Sequence, residues 1–171
     1  MKRTQHEQTY RIALEGLLVA LMLVLGFVES LIPLPVPVPG IKLGLSNGVL
    51  IFAVYMLGIP TAFVLMLLKV VLSGLMFGGV SAMMYALAGG VVSMALMSLL
   101  SRVKGMHPVA VSMIGGVGHN VGQIGLAMIM LNTPRLVYYL AILMIAGLAT
   151  GALTGFAAAS VMTHLKKMKR K

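Results

Sequence analysis

From Val109 to Leu131 the chain carries no formal charge, and as a helix this run is long enough to cross a bilayer. Its middle reads Gly115-Gly116-Val117-Gly118-His119-Asn120-Val121-Gly122-Gln123-Ile124-Gly125. At about 100° per residue, Gly115, Gly118, Gly122 and Gly125 fall on one face, with His119, Asn120 and Gln123 on the flank beside it. Imidazole and amide groups turned toward acyl chains have no hydrogen-bond partner there. This helix is therefore expected inside a bundle. Its glycines admit a neighbouring backbone, and its polar flank meets a cavity or a polar partner.

Composition supports the membrane class. Of 171 residues, 60% are hydrophobic and 9% charged, where a soluble domain devotes about 25% to charge. A net charge of +10 suggests nucleic acid in a soluble protein, but here it sits at the chain ends and in one short loop, so topology explains it and no nucleic acid is expected. The chain has no cysteine and no aspartate, and its carboxylates are Glu7, Glu15 and Glu29. That excludes thiol chemistry and the clustered oxygen ligands of Mg²⁺-dependent diphosphate chemistry, and no P-loop appears. The sixteen methionines are spread through apolar helices and read as packing, not as copper ligands.

A single all-α membrane domain of residues 1–171 is predicted, with helices at about 10–32, 43–57, 61–77, 81–100, 109–131 and 136–164. Basic tails, 1–9 and 165–171, flank it. The first apolar run lacks a small-x-small cleavage site and reads as a retained helix. Within it Gly16 and Ala20 form a small-xxx-small pair, and Arg11 and Glu15 an i,i+4 ion pair. The alternate prolines from Pro33 to Gly40 predict a stiff extended loop, either a connector or a lid. Ser46 is the expected N-cap of the second helix, with Asn47 in its first turn, and Pro60 suits the start of the third. Lys69, near the middle of that third helix, needs a partner, a wet cavity or a snorkelling path. Gly147, Gly151, Gly155 and Ala159 recur every fourth residue, a stripe that a second helix can approach. With both termini inside, ten of thirteen Lys/Arg are cytoplasmic, two outside (Lys42, Arg135), and Lys69 lies within. A multi-pass protein of the cell membrane (a bacterial inner or plasma membrane) with both ends cytoplasmic follows.

The run Ile41-Lys42-Leu43-Gly44-Leu45-Ser46-Asn47, followed by Gly58 and a helix with Lys69, resembles the substrate-binding S components of energy-coupling factor (ECF) transporters. With Gly78-Gly79-Val80-Ser81, Ala88-Gly89-Gly90-Val91-Val92-Ser93 and Gly118-His119-Asn120-Val121-Gly122-Gln123, the resemblance narrows to the Gx transporter family, often labelled heptaprenyl diphosphate synthase component I. It covers about residues 10–165. The synthase label conflicts with the absence of aspartate, so no enzyme is expected. The resemblance implies a six-transmembrane-helix bundle that captures a small molecule from the extracytoplasmic side. It also implies a separate coupling subunit driven by ATPases, which small residues of helix 1, here Gly16 and Ala20, would contact.

The expected substrate-binding set is Glu29, Lys42, Asn47, Lys69, His119, Asn120 and Gln123. The lysines offset an anionic group, His119 and Gln123 give directional hydrogen bonds, and Asn47 and Asn120 orient the ligand. Glu29 pairs with one lysine and lowers the net charge. A small anionic or amphipathic metabolite is the ligand class: a vitamin-like molecule, or a quinone or isoprenoid precursor. A second reading is a non-catalytic subunit of a quinone- or flavin-linked electron-transfer complex, with Gly147, Gly151 and Gly155 as its partner interface. No cofactor is expected, because His119 has no second axial-type histidine at matched depth for haem. A membrane enzyme is a third reading, in which His119 serves as base, but it lacks a nucleophile, a carboxylate dyad or a metal set.

Overall fold

Among the described residues, six α-helices form in the order expected. The computed structural model describes residues 5–32, 34, 37–38 and 41–168. The helices are α1 (Gln5–Ser30), α2 (Asn47–Met56), α3 (Ile59–Ser73), α4 (Gly79–Leu100), α5 (Pro108–Met130) and α6 (Val137–Met168). A π-helical turn, Gly74–Gly78, joins α3 to α4, and a 3₁₀ turn, Pro134–Leu136, leads into α6. No strand occurs among the described residues. Among the described residues, three stretches are long and apolar enough to cross a bilayer: Gln5–Ser30, Ile59–Leu100 and Pro134–Met168. The protein is thus a membrane helical bundle, in which three such stretches stand where six crossings were expected.

The difference has physical causes. Ile59–Leu100 is one apolar stretch in sequence but folds back on itself at Gly79, whose φ of 72° favours glycine. The two arms pack antiparallel, with Gly74 against Met83 and Gly90 against Met66. The helix α2 is 10 residues long, about 15 Å, half the thickness of a hydrocarbon core. It is shorter than expected because residues 43–46 are spent on a turn before it. Ser46 occupies the N-cap position but makes no capping bond, and its Oγ is buried without a partner. At the other end α1 begins at Gln5, inside what was expected to be a tail, and Thr9 Oγ1 donates to Gln5 O. Residues 1–4 and 169–171 lie outside the described residues, as do Pro33, Pro35, Val36, Pro39 and Gly40 of the proline loop.

The centre of the bundle is α5, as its glycines require. Gly115, Gly118 and Gly122 face α4, where a Cβ would meet Met97, Leu96 and the Ala88 carbonyl, while Gly116 faces Gly147 of α6. Gly125, expected on the same face as the first three, has nothing within 4 Å. A core of Met22, Leu50, Ile51, Leu65, Met66, Met97 and Val111 fills the space between α1 to α5. The sulfurs of Met66 and Met97 lie against Gly90 and Gly115, as flexible side chains fitted to irregular gaps do. At the ends of α1 and α3, Arg11 bonds Glu15 at 2.8 Å and Thr61 Oγ1 at 2.6 Å.

Candidate functional site

The connection after the proline loop does not stay outside the bundle. Ile41 and Lys42 are buried, and the main chain runs inward between α1 and α5. Extended backbone at such a depth must find hydrogen-bond partners in protein. Two side chains supply them. The Gln123 amide bonds both main-chain groups of Lys42, accepting from its N–H at 3.0 Å and donating to its carbonyl at 2.9 Å. Glu29 Oε1, from the last turn of α1, accepts from the N–H groups of Gly44 and of Leu45 (3.2 Å). Gly44 then turns the chain with φ 88°, and its carbonyl accepts from Asn47 N–H at 2.9 Å as α2 begins. A side chain at Gly44 would meet Asn47 Nδ2 at 2.7 Å and the His119 ring at 3.2 Å, so these three residues are packed together.

The charged groups gather beside this connection. Lys42 Nζ donates to the Gly26 carbonyl at 3.4 Å and lies 4.7 Å from the centre of the Phe77 ring, a cation–π distance. Burial lowers the Lys42 ammonium from its ordinary value, and the Glu29 carboxylate acts the other way. Phe77 is aimed there by the π-helical turn and packs edge-on to Phe27, ring centres 5.7 Å apart. Lys69 reaches the same place from α3. Its Cε is 3.7 Å from where a Gly26 Cβ would lie, and it is 4% exposed. Its ammonium has no hydrogen bond among the described residues. A cavity of about 380 Å³ adjoins the group, lined by Glu29, Ser30, Leu34, Lys42, Phe77 and Ala82 among others.

Of the seven residues expected to form the site, all are buried, and five meet around the inserted connection: Glu29, Lys42, Asn47, His119 and Gln123. Lys69 joins them at Gly26. Asn120 does not. Its Nδ2 donates to the Leu143 carbonyl at 2.6 Å, so it pins α6 to α5 and faces away from the others. Gln123 is close, but its amide is spent on the main chain and not held ready for a guest. Of the seven, only Glu29 and Lys42 line the cavity. Around the inserted connection, Glu29 Oε2, Ser46 Oγ and Asn47 Nδ2 are buried without a hydrogen bond, while His119 Nδ1 lies against Gly89 of α4. Sequence reasoning missed Gly44, whose only mark is its place between Lys42 and Asn47, and Phe77, marked by the Gly78-Gly79 turn that follows it.

The two expected partner faces differ. Gly16 has nothing within 4 Å and Ala20 is exposed, so this face of α1 is open. The stripe Gly147, Gly151 and Gly155 is filled by the chain's own α5. A Cβ at these positions would lie 2.8 Å from Asn120 Nδ2, 2.7 Å from Met113 Cα and 2.7 Å from Ser112 Cβ. The stripe is an interior seam, not a surface awaiting a second protein.

The family model described as heptaprenyl diphosphate synthase component I covers residues 18–161. No curated protein and no solved structure matches the chain.

Proposed function

The chain belongs to the heptaprenyl diphosphate synthase component I family, also termed the Gx transporter family, and from that premise we propose that it is a membrane solute-binding and uptake protein of the S-component type. The family is a non-catalytic component despite the synthase in its description. The ligand class is a small anionic or amphipathic metabolite. It is captured from the extracytoplasmic side, where α1 ends and α2 begins, by a multi-pass protein with both ends cytoplasmic.

One observation carries this reading. Two lysines and one carboxylate are buried around Gly26, and the carboxylate already spends one oxygen on two main-chain N–H groups. Lys69 has no hydrogen bond among the described residues, and Glu29 and Lys42 of this group line the cavity together with Phe77. With one carboxylate between two lysines, a buried positive charge is left in excess, which is costly unless something else meets it, and an anion entering that cavity does so. In this role Lys42 and Lys69 attract the charge and Phe77 packs the apolar part. Asn47 and His119 supply hydrogen bonds once the guest is in place, while Gln123 and Glu29 hold the wall. The open Gly16–Ala20 face of α1 suits a coupling subunit. The electron-transfer reading loses its main support, because the Gly147 stripe is occupied.

Binding of a panel of small carboxylates and phosphate esters, set against their neutral amides and alcohols, tests the proposal by calorimetry on detergent-solubilised protein. Anionic members are expected to bind wild type and to lose at least tenfold in affinity with Lys42→Met or Lys69→Met. If no panel member binds, or binding is indifferent to both substitutions, the reading is wrong.

A further inference from the structure

A second site lies at the opposite end of the bundle, where the chain passes from α4 into α5 and where α6 finishes. There a pocket of about 330 Å³ is lined by His107, Phe156, Ala159, Ser160, Thr163, His164 and Lys167. No carboxylate lines it, and Arg102, Lys104 and Lys166 are exposed nearby in the chain. The residues from α6 recur at the spacing of one helical face. Along about 11 residues, or roughly 16 Å, that face changes from Phe156, 68% exposed, to His164 and Lys167. It therefore crosses from hydrocarbon to headgroup depth.

The donors are set for an anion. His107 stands at the N-cap of α5, and its Nδ1 accepts from Val109 N–H at 3.3 Å. A neutral ring that accepts at Nδ1 carries its hydrogen on Nε2, directed away from the helix. Thr163 Oγ1 is committed to the Ala159 carbonyl at 2.8 Å, which leaves the Ser160 hydroxyl, His164 and Lys167 as the other donors. We propose that this pocket binds the phosphodiester of an anionic phospholipid, with one acyl chain lying along Phe156. A lipid is favoured over free phosphate because the charged end of the pocket continues directly into an exposed apolar strip on the same helix.

Native mass spectrometry of the full chain in a neutral detergent tests this with three probes: dioleoyl-phosphatidylglycerol, dioleoyl-phosphatidylcholine and dioleoylglycerol. Wild type is expected to retain phosphatidylglycerol several-fold better than the other two. The exposed pair His164→Gln/Lys167→Gln should lower that retention about fivefold, the scale of one interfacial charge. The control Arg102→Gln/Lys104→Gln, which removes more charge from the adjacent loop, should leave retention nearly unchanged. Equal loss in both variants would mean a diffuse basic surface and would overturn the site. Retention of dioleoylglycerol equal to that of phosphatidylglycerol, or displacement of the lipid by millimolar inorganic phosphate, would also overturn it. The first result would leave only an apolar groove, and the second a free-anion site.

Discussion

Lys69 and Gln123 are both buried polar residues on apolar helices, yet their replacement is expected to have different outcomes. Gln123 bonds the Lys42 N–H and carbonyl, so Gln123→Met leaves two buried main-chain groups unpaired. A loss of about 2–4 kcal/mol is expected, read as a lower unfolding midpoint in detergent. Lys69 has no hydrogen bond to lose among the described residues, so an apolar replacement removes the burden of a desolvated ammonium but also takes a counter-charge from buried Glu29. Lys69→Met should therefore leave thermal stability within about 1 kcal/mol of wild type while weakening anion binding. A matched drop in stability and binding would make Lys69 a structural residue. At this scale the sequence displayed which polar residues are buried but not what they touch. The partner of Gln123 is 81 positions away, and nothing in the local pattern of α5 separates Gln123 from Asn120, whose amide serves α6. Burial follows from helical periodicity. Pairing follows from the path of another segment.

The same contrast holds between helices. Glycines were legible as packing surfaces because residues spaced by three and four share a face. Which neighbour each face receives was not legible, and the Gly147 stripe was expected to serve a partner when α5 already fills it. Space around each glycine turns this into a measurable ranking. A Cβ at Gly116 would stand 2.5 Å from the Gly147 carbonyl, and backbone cannot move aside as a side-chain tip can. Gly116→Ala is expected to cost about 1–3 kcal/mol, or more if the seam opens. Gly16→Ala meets nothing within 4 Å and replaces a poor helix former, so a gain of up to about 1 kcal/mol is expected. Unfolding of the two variants side by side, by heat or by graded denaturing detergent, gives the comparison. Similar values for both would show that α5 and α6 are not closely packed. The short α2 is the other lesson at this scale. Apolarity extended it to residues 43–57, while the expected N-cap at Ser46 marked the observed start at Asn47, which follows the main-chain turn at Gly44 held by Glu29.

For the whole molecule, the membrane class and the number of helices were open to reading, since low charge and apolar runs report directly on solvent. The topology is a matter of which ends share a side. The Lys/Arg distribution and the antiparallel α3–α4 pair place Lys104 and Thr133 at opposite ends of α5. Because the native chain has no cysteine, single substitutions give a clean background. Lys104→Cys is expected to react with an impermeant maleimide only after the inner face is exposed, and Thr133→Cys in intact cells. Labelling of both from one side would rule out a membrane-crossing α5.

The grip on the inserted connection has a further implication for how such proteins diversify. Gln123 and Glu29 hold peptide groups of residues 42, 44 and 45, so the anchor is blind to the side chain carried at position 42. That residue lines the cavity, and arginine, histidine or an uncharged residue there would alter which guest is preferred without loosening the wall. Selectivity and architecture are therefore written in separate atoms of the same residue, and one can drift while the other stays put.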